Sequence, residues 1–250
     1  ESKEKIEIKE IPEYGESRKK SGIETRYPID VFPYVGNTCE YLNKRIPSES
    51  VRKKLGIHFN PEKNCIIFPI HNMSGDIIGW SERWAWDPKE KNNGSVVLPR
   101  KVIEDMEARN LEFDEWSIFN PRWRHEYQKM SHLYGIHMLN RKYLWKERNP
   151  HKIILVEGFT TAAWVMSQGI YNVLAIGGSK LSKIQAEILL DLGCGIIAAT
   201  DNDKAGRTGF EKIVDRLGDY LPIFKVKWLD VDKDFDGMPR GKILNLALGA

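Results

Sequence analysis

Lys152-Ile-Ile-Leu-Val-Glu-Gly158, Asn172-Val-Leu-Ala-Ile-Gly-Gly-Ser-Lys180 and Gly195-Ile-Ile-Ala-Ala-Thr-Asp-Asn-Asp203 decide the fold. Each opens on a short apolar run of strand length and closes on glycine or an acid. A segment of helical periodicity follows each of them, Thr160 to Gln168, Ser182 to Leu192 and Lys204 to Leu217, and a fourth unit pairs Ile223 to Leu229 with Lys242 to Leu248. Four strand-helix units in succession predict an α/β fold with a mostly parallel sheet flanked by helices. Right-handed crossovers then align the strand C-termini along one edge.

Upstream the pattern changes. Residues 1–36 are polar, punctuated by Gly and Pro and without periodicity, and read as an arm or linker. Asn37 to Gly56 has helical periodicity broken at Pro47, with Ser48 opening a second short helix that stops at Gly56. Cys65 to Ile70 and Ile77 to Trp80, joined by Met73-Ser-Gly-Asp76, predict a β-hairpin. Residues 84–116 hold eight acids and five bases and predict one acidic helix, Val102 to Trp116. The expected organisation is thus an arm (1–36), a smaller α+β unit (37–150) with an acidic insertion near 84–116, and the α/β unit (151–250).

With 250 residues, 41% of them hydrophobic and 29% charged, the chain can bury one or two ordinary cores, which excludes a disordered or fibrous protein. Its apolar runs are far short of a membrane span and no charged-then-apolar leader opens it, so the chain is expected to be soluble and cytoplasmic. It begins at Glu1 rather than Met, as an excised piece of a longer protein would. Cys39, Cys65 and Cys194 form no C-x-x-C pair and the six histidines no H-x-x-x-H, so neither disulfides nor zinc are expected.

The net charge of +3 resides wholly in residues 1–150, because residues 151–250 carry 12 bases and 12 acids. Residues 117–149 have seven bases (Arg122, Arg124, Lys129, Arg141, Lys142, Lys146, Arg148) against two acids, interleaved with Trp123, Tyr127, Tyr134, Tyr143 and Trp145. Cations for phosphates and flat rings for bases suit a single-stranded nucleic acid, with Arg122 and Arg124 as salt-sensitive contacts. A solvated basic helix with core aromatics fits the composition equally well.

Open α/β sheets bind ligands beyond their strand C-termini. There stand Glu157, Asp201 with Asp203, and the run Asp230, Asp232, Asp234 and Asp236. Carboxylates from three loops on one edge repel unless a cation bridges them, and hard oxygen donors point to Mg²⁺ or Mn²⁺. Gly177-Gly178-Ser179-Lys180, ahead of Ser182, offers backbone N–H groups to a phosphate. Taken singly, each motif is more often a turn or a helix cap; their joint placement favours a metal site.

Leu155-Val-Glu-Gly158, Ala175-Ile-Gly-Gly-Ser179, Thr200-Asp-Asn-Asp-Lys-Ala-Gly206 and Lys233-Asp-Phe-Asp236 resemble the Toprim domain of primases, topoisomerases and some nucleases. The Asp-x-Asp-x-Ala-Gly form is most similar to the bacterial-type, DnaG-like primases. Tyr41-Leu-Asn-Lys-Arg45, Ile67-Phe-Pro-Ile70, Gly75, Gly79, Arg83, Lys129 and Leu133-Tyr-Gly135 fall in the order of the N-terminal subdomain of the primase RNA-polymerase core. The resemblance covers residues 39–237.

It implies a DNA-dependent RNA polymerase that makes short primers on a single-stranded DNA template from NTPs, beside a replicative helicase. By position it implies Glu157 as acid/base or metal-organising carboxylate and Asp201 and Asp203 as holders of the divalent ions. Asp234 and Asp236 would complete the cluster, and Arg83, Asn120 and Lys129 would face template, primer or NTP. The chain departs from the pattern at Thr161, where the family has Asp, and at Ser117, where it commonly has Lys. With no zinc-ligand spacing present, the resemblance implies initiation with a separate zinc-binding module. The alternatives are a Toprim nuclease or topoisomerase, and a non-catalytic adaptor for single-stranded DNA or a helicase.

Overall fold

The computed structural model describes residues 27–28, 32–33, 35–87, 89–90, 96–139, 152–229 and 231–249, without the side chains of 89, 90, 96 and 129. The expected arm therefore lies almost wholly outside the described residues, as do Asp230 and the basic and aromatic residues from Arg141 to Arg148.

Two short helices come first. In α1 (Glu40–Arg45) the Cys39 sulfur accepts from the Leu42 N–H, and in α2 (Glu49–Leu55) Ser48 accepts from the Val51 N–H while Gly56 ends the helix in the left-handed region. An antiparallel sheet follows, built from β1 (His58–Asn60), β2 (Cys65–His71), β3 (Ile77–Trp84) and β6 (Trp123–His125), in the order β1-β2-β3-β6. Asn72 Oδ1 nucleates the hairpin turn by accepting from the N–H groups of Ser74 and Asp76, each at 3.0 Å. All seven residues of β2 are buried, because one face joins the main core through Ile66, Phe68 and Ile70, and the other meets Tyr27, Phe32 and Trp80.

Between β3 and β6 lie a two-stranded ribbon, β4 (Lys89–Glu90) with β5 (Val96–Val97), and two helices, α3 (Arg100–Arg109) and α4 (Phe113–Phe119). The single helix expected over 102–116 is thus two. Asn110 takes the left-handed conformation (φ 51°), and Glu112 with Glu115 forms a capping box that starts α4. Asn tolerates that conformation and a capping pair is a start signal, so local chemistry overrides the continuing periodicity.

The second sheet is parallel, with β7 (Ile153–Val156), β8 (Val173–Ala175), β9 (Ile196–Ala199) and β10 (Ile223–Lys225) ordered β10-β9-β7-β8. The connecting helices are α5 (Phe159–Ser167), α6 (Lys183–Leu192) and α7 (Lys204–Leu217), and α8 (Arg240–Leu248) follows β10. Strand residues alternate between two cores. Ile154, Val156, Val173, Ala175, Ile197 and Ala199 pack with α5, α8 and the N-terminal elements, whereas Ile153, Leu155, Leu174, Ile196 and Ala198 pack with α6 and α7. Burial on both faces is why these strands read as unbroken apolar runs. Tyr134 pairs with Ala175 in an antiparallel bridge, which fastens the N-terminal part to the edge of the parallel sheet.

Candidate active site

From β7 the chain crosses first to β8 on one side and then to β9 on the other, so the crevice between the ends of β7 and β9 is a topological switch point. Glu157 leaves β7 and Asp201 leaves β9 at that crevice, and Glu157 Oε1 accepts from the Asp201 N–H at 3.0 Å. Gly206 makes the local geometry possible, since a Cβ there would stand 1.9 Å from the Asp201 carbonyl oxygen. The Asp232–Asp236 loop closes over the same edge, tied down by the Asn202 N–H to the Lys233 carbonyl at 2.7 Å.

A cleft of about 570 Å³ opens here between the two sheets. Glu157, Asp201, Asp234 and Asp236, from the loops of the parallel sheet, line it together with Arg45, Arg83 and Arg122 from the N-terminal elements. Trp123, His125 and Phe159 add aromatic surface, with the Trp123 and His125 rings nearly parallel at 9°. Sequence reasoning missed Arg45, His125 and Phe159 as site residues, although Arg45 ends the Tyr41-to-Arg45 motif and β-strand alternation groups His125 with Trp123.

The acids crowd one another. Burial first, then the charges of Glu157, Asp234 and Asp203, pushes Asp201 up to about 7. Burial also raises Glu157, with Asp203 and Asp234 adding to it and the Asp201 N–H opposing. Asp236 is raised by burial and by Asp234, against the pull of Thr161, Arg45 and Arg83. Its Oδ2 accepts from Arg45 Nη1 at 3.1 Å, while its buried Oδ1 has no hydrogen-bond partner among the described residues. Raised carboxylates and an orphaned oxygen are what a hard cation would relieve. Among the described residues, however, no three His, Cys, Asp or Glu stand close enough together to cage a metal by themselves. That suits an ion held by one or two carboxylates plus waters and phosphates, the usual habit of Mg²⁺.

Other expected residues fall elsewhere. Asp203 is exposed and caps α7, its Oδ1 accepting from the Gly206 N–H at 2.8 Å, so it influences the cleft by charge without lining it. Gly177 and Gly178 line the cleft, but Ser179 and Lys180 do not; the Ser179 carbonyl packs on Gly209, and the Gly177 N–H is taken by the Glu157 carbonyl. Asn120 and Arg124 face a second cleft, of about 540 Å³, between the antiparallel sheet and α3–α4. Their bonds are to the carbonyls of Trp116 and Phe119. Alternation explains Arg124, which pairs with Glu82 on the strand face opposite Trp123 and His125. Lys129 begins a 3-10 turn, and its side chain lies outside the described residues.

Comparison with known proteins agrees with this architecture. Residues 154–238 match the Toprim-like family. The DNA primase of Legionella pneumophila is 28% identical over 157 residues, which is 63% of this chain and 22% of that protein. The primase of Aquifex aeolicus (zinc-binding and RNA polymerase domains) superposes with a TM-score of 0.61 at 19% identity, covering 84% of this chain and 55% of that one. A DnaG primase catalytic domain bound to single-stranded DNA gives 0.56 at 18% identity, covering 84% and 70%. The chain spans about a quarter of the length of the curated relatives it matches. Residues 154–238 are thus similar to the Toprim-like family, in a chain whose sequence is similar to that of DNA primases and whose fold is similar to that of their catalytic cores.

Proposed function

We propose that this chain is a primase catalytic core, which joins ribonucleotides into short primers on single-stranded DNA in the cleft between its two sheets. One observation carries the reading: carboxylates at the switch point of a Toprim-like sheet and arginines from the N-terminal elements line one cleft of nucleotide size. One or two of the carboxylates Glu157, Asp201 and Asp234 would hold Mg²⁺ or Mn²⁺, with waters and phosphate oxygens filling the rest of its shell and Asp203 and Asp236 adding negative charge nearby. Bound there, the ion supplies Lewis-acid charge to the transferring phosphate and to the primer 3′-hydroxyl.

The protein's own groups do the rest by position and charge. Arg45, Arg83 and Arg122 bind and orient the triphosphate. The parallel rings of Trp123 and His125 offer a base a stacking face. Glu157 Oε1 is occupied by the Asp201 N–H, so proton exchange at this carboxylate falls to Oε2. Arg124, Asn120 and Lys129, with the backbone at Gly178, Ser179 and Lys180, would serve template or phosphate contacts outside the acid wall. Residues 37–150 supply the nucleic-acid and NTP contacts and residues 151–250 the carboxylates, while the insertion at 84–116 walls the second cleft. A replicative helicase and a separate zinc-binding module are the partners that such a core would use.

One observation favours a second reading. Thr161, buried at the cleft, replaces a carboxylate of the family pattern, as an adaptor that has lost catalysis would show. Ribonucleotide incorporation on a single-stranded template, with Mg²⁺ or Mn²⁺ and with or without an annealed RNA primer, separates these readings. Products that vanish in Asp201→Asn support the polymerase, and a need for the annealed primer assigns initiation to another module. Template cleavage would make it a nuclease. Neither product would leave the adaptor.

A further inference from the structure

Asp87 lies behind the cleft, directly after β3, and does not line it. Yet its carboxylate receives all three cleft arginines. Oδ1 accepts from Arg83 Nη2 at 2.8 Å and from Arg122 Nη2, and Oδ2 accepts from Arg45 Nη2 at 2.8 Å and from the Tyr41 hydroxyl at 2.6 Å. The arginines come from β3, from the turn before β6 and from α1, so no local geometry would bring them together. Arg83 is 3% exposed, and its Nη1 donates to the Trp84 carbonyl at 2.8 Å. Arg122 is 47% exposed, and its one described ion pair is with Asp87.

We infer that Asp87 is a positioning residue: it gathers Arg45, Arg83 and Arg122 into one cationic wall shaped for the triphosphate of an incoming nucleotide. This inference rests on reading the cleft as a nucleotide-polymerising site. Without their shared anion the three guanidinium groups would repel one another, and the buried Arg83 would lose the carboxylate it bonds to, Asp236 acting on it only from further away. Held by one carboxylate, they remain ordered before the ligand arrives and carry more positive charge than Asp87 removes. Although burial pulls it upward, bonds from Tyr41 and Arg45 and the charges of Arg83 and Arg122 hold the Asp87 carboxyl well below the usual range, so it stays an anion at any working pH. A simpler possibility, that Asp87 merely competes with phosphate for the arginines, predicts the opposite sign on its removal.

Calorimetric titration with inorganic tripolyphosphate tests the inference without needing catalysis, and nucleotide kinetics extend it. Asp87→Asn is expected to weaken tripolyphosphate binding about tenfold, the equivalent of one lost charge-assisted bond. It should raise KM for NTP by a similar factor with kcat changed less than threefold. Asp87→Glu is expected to recover most of the loss. If the residue acts through the arginines, Asp87→Asn combined with Arg122→Ala should cost less than the sum of the two single losses, because the Arg122 share of the effect is then already gone. Unchanged or tighter binding by Asp87→Asn would overturn the inference, as would additive losses or an equal fall in kcat. If the wild type itself fails to bind tripolyphosphate, the nucleotide reading of the cleft falls first and this inference with it. Should Asp87→Asn fail to fold, Asp87→Glu still decides, because wild-type affinity with intact fold supports the anionic anchor and a tenfold loss in a folded protein refutes it.

Discussion

Removing a carboxylate from the acid wall should stabilise the metal-free protein, and Asp201→Asn is the sharpest case. The usual aspartate value is 3.8, and the folded chain raises Asp201 to about 7, through burial and then through Glu157, Asp234 and Asp203. Well below pH 3.8 the group is neutral in both states. Between 3.8 and about 7 the unfolded chain ionises it while the folded chain keeps the proton, so each pH unit disfavours folding; above about 7 the penalty is constant. Roughly three units at about 1.4 kcal/mol each give about 4 kcal/mol. The site opens to solvent, which screens the charges, and about half of that, ~2 kcal/mol, is the figure to expect.

For a chain of this size ~2 kcal/mol corresponds to roughly 4–8 °C in Tm. The assay is thermal or urea denaturation in a chelator from pH 4 to pH 8. Asp201→Asn should match the wild type at pH 4 and exceed it at pH 8. Adding Mg²⁺ or Mn²⁺ at pH 8 should then raise the wild type but not the variant, since only the intact acid wall gains from the ion. A variant no more stable than the wild type at pH 8, or equally more stable at both ends of the range, would refute the charge-crowding argument.

Asp236→Asn should keep most of the metal-induced Tm rise that Asp201→Asn loses, because Arg45 already balances Asp236; an equal loss in both would place the ion nearer the Asp234–Asp236 loop. Gly206→Ala should cost about 2–4 kcal/mol in urea denaturation, since its Cβ would stand 1.9 Å from the Asp201 carbonyl and backbone must move; a cost under ~1 kcal/mol would mean the approach is loose. His71 is pushed down to about 3 by burial and by His137, whose ring lies 4.0 Å away, so the folded state is favoured above 6.5 and loses about 1.4 kcal/mol per pH unit between 6.5 and 3. His71→Phe should flatten that part of the stability profile, and parallel curves for the two proteins would contradict it.

The parallel sheet was legible because its chemistry is local. Doubly buried strands are continuous apolar runs, and Ser182, Asp203 and Gly193 sit at the helix ends where caps and stops belong. The helix Lys204 to Leu217 could be read to the residue, since Asp203 caps its start and Gly218 follows its end. The break at Asn110 was not legible, because the periodicity of 102–116 runs through it and only the capping box at Glu112 marks the restart. The strand Trp123–His125 is three residues long, too short to carry a period of its own, so nothing local said that Arg124 would face away from Trp123. The arginine wall was least accessible of all. Arg45 meets Asp87 across 42 positions and Asp236 across 191, and no pattern within one segment encodes a contact between segments.

The same non-local contacts rank the carboxylates. Asp236 has Arg45 on Oδ2 and Thr161 beside it, so the chain itself supplies much of the positive charge it needs even though Oδ1 is left without a hydrogen bond among the described residues. Asp203 spends an oxygen on the α7 cap, and Asp234 spends its Oδ1 on the Asp236 N–H at 2.7 Å. Glu157 and Asp201 share a backbone N–H, with Lys233 opposing their charge, and they stand at the switch point. An ion brought in with a triphosphate would meet its largest unmet demand for positive charge at that pair. The arginines gathered by Asp87 would at the same moment receive the phosphate oxygens. Each wall of the cleft is therefore incomplete in the sense that the other half of a metal–triphosphate complex would complete, and this holds with Thr161 in place, because the position it occupies lies beside the one carboxylate that the arginine wall already serves.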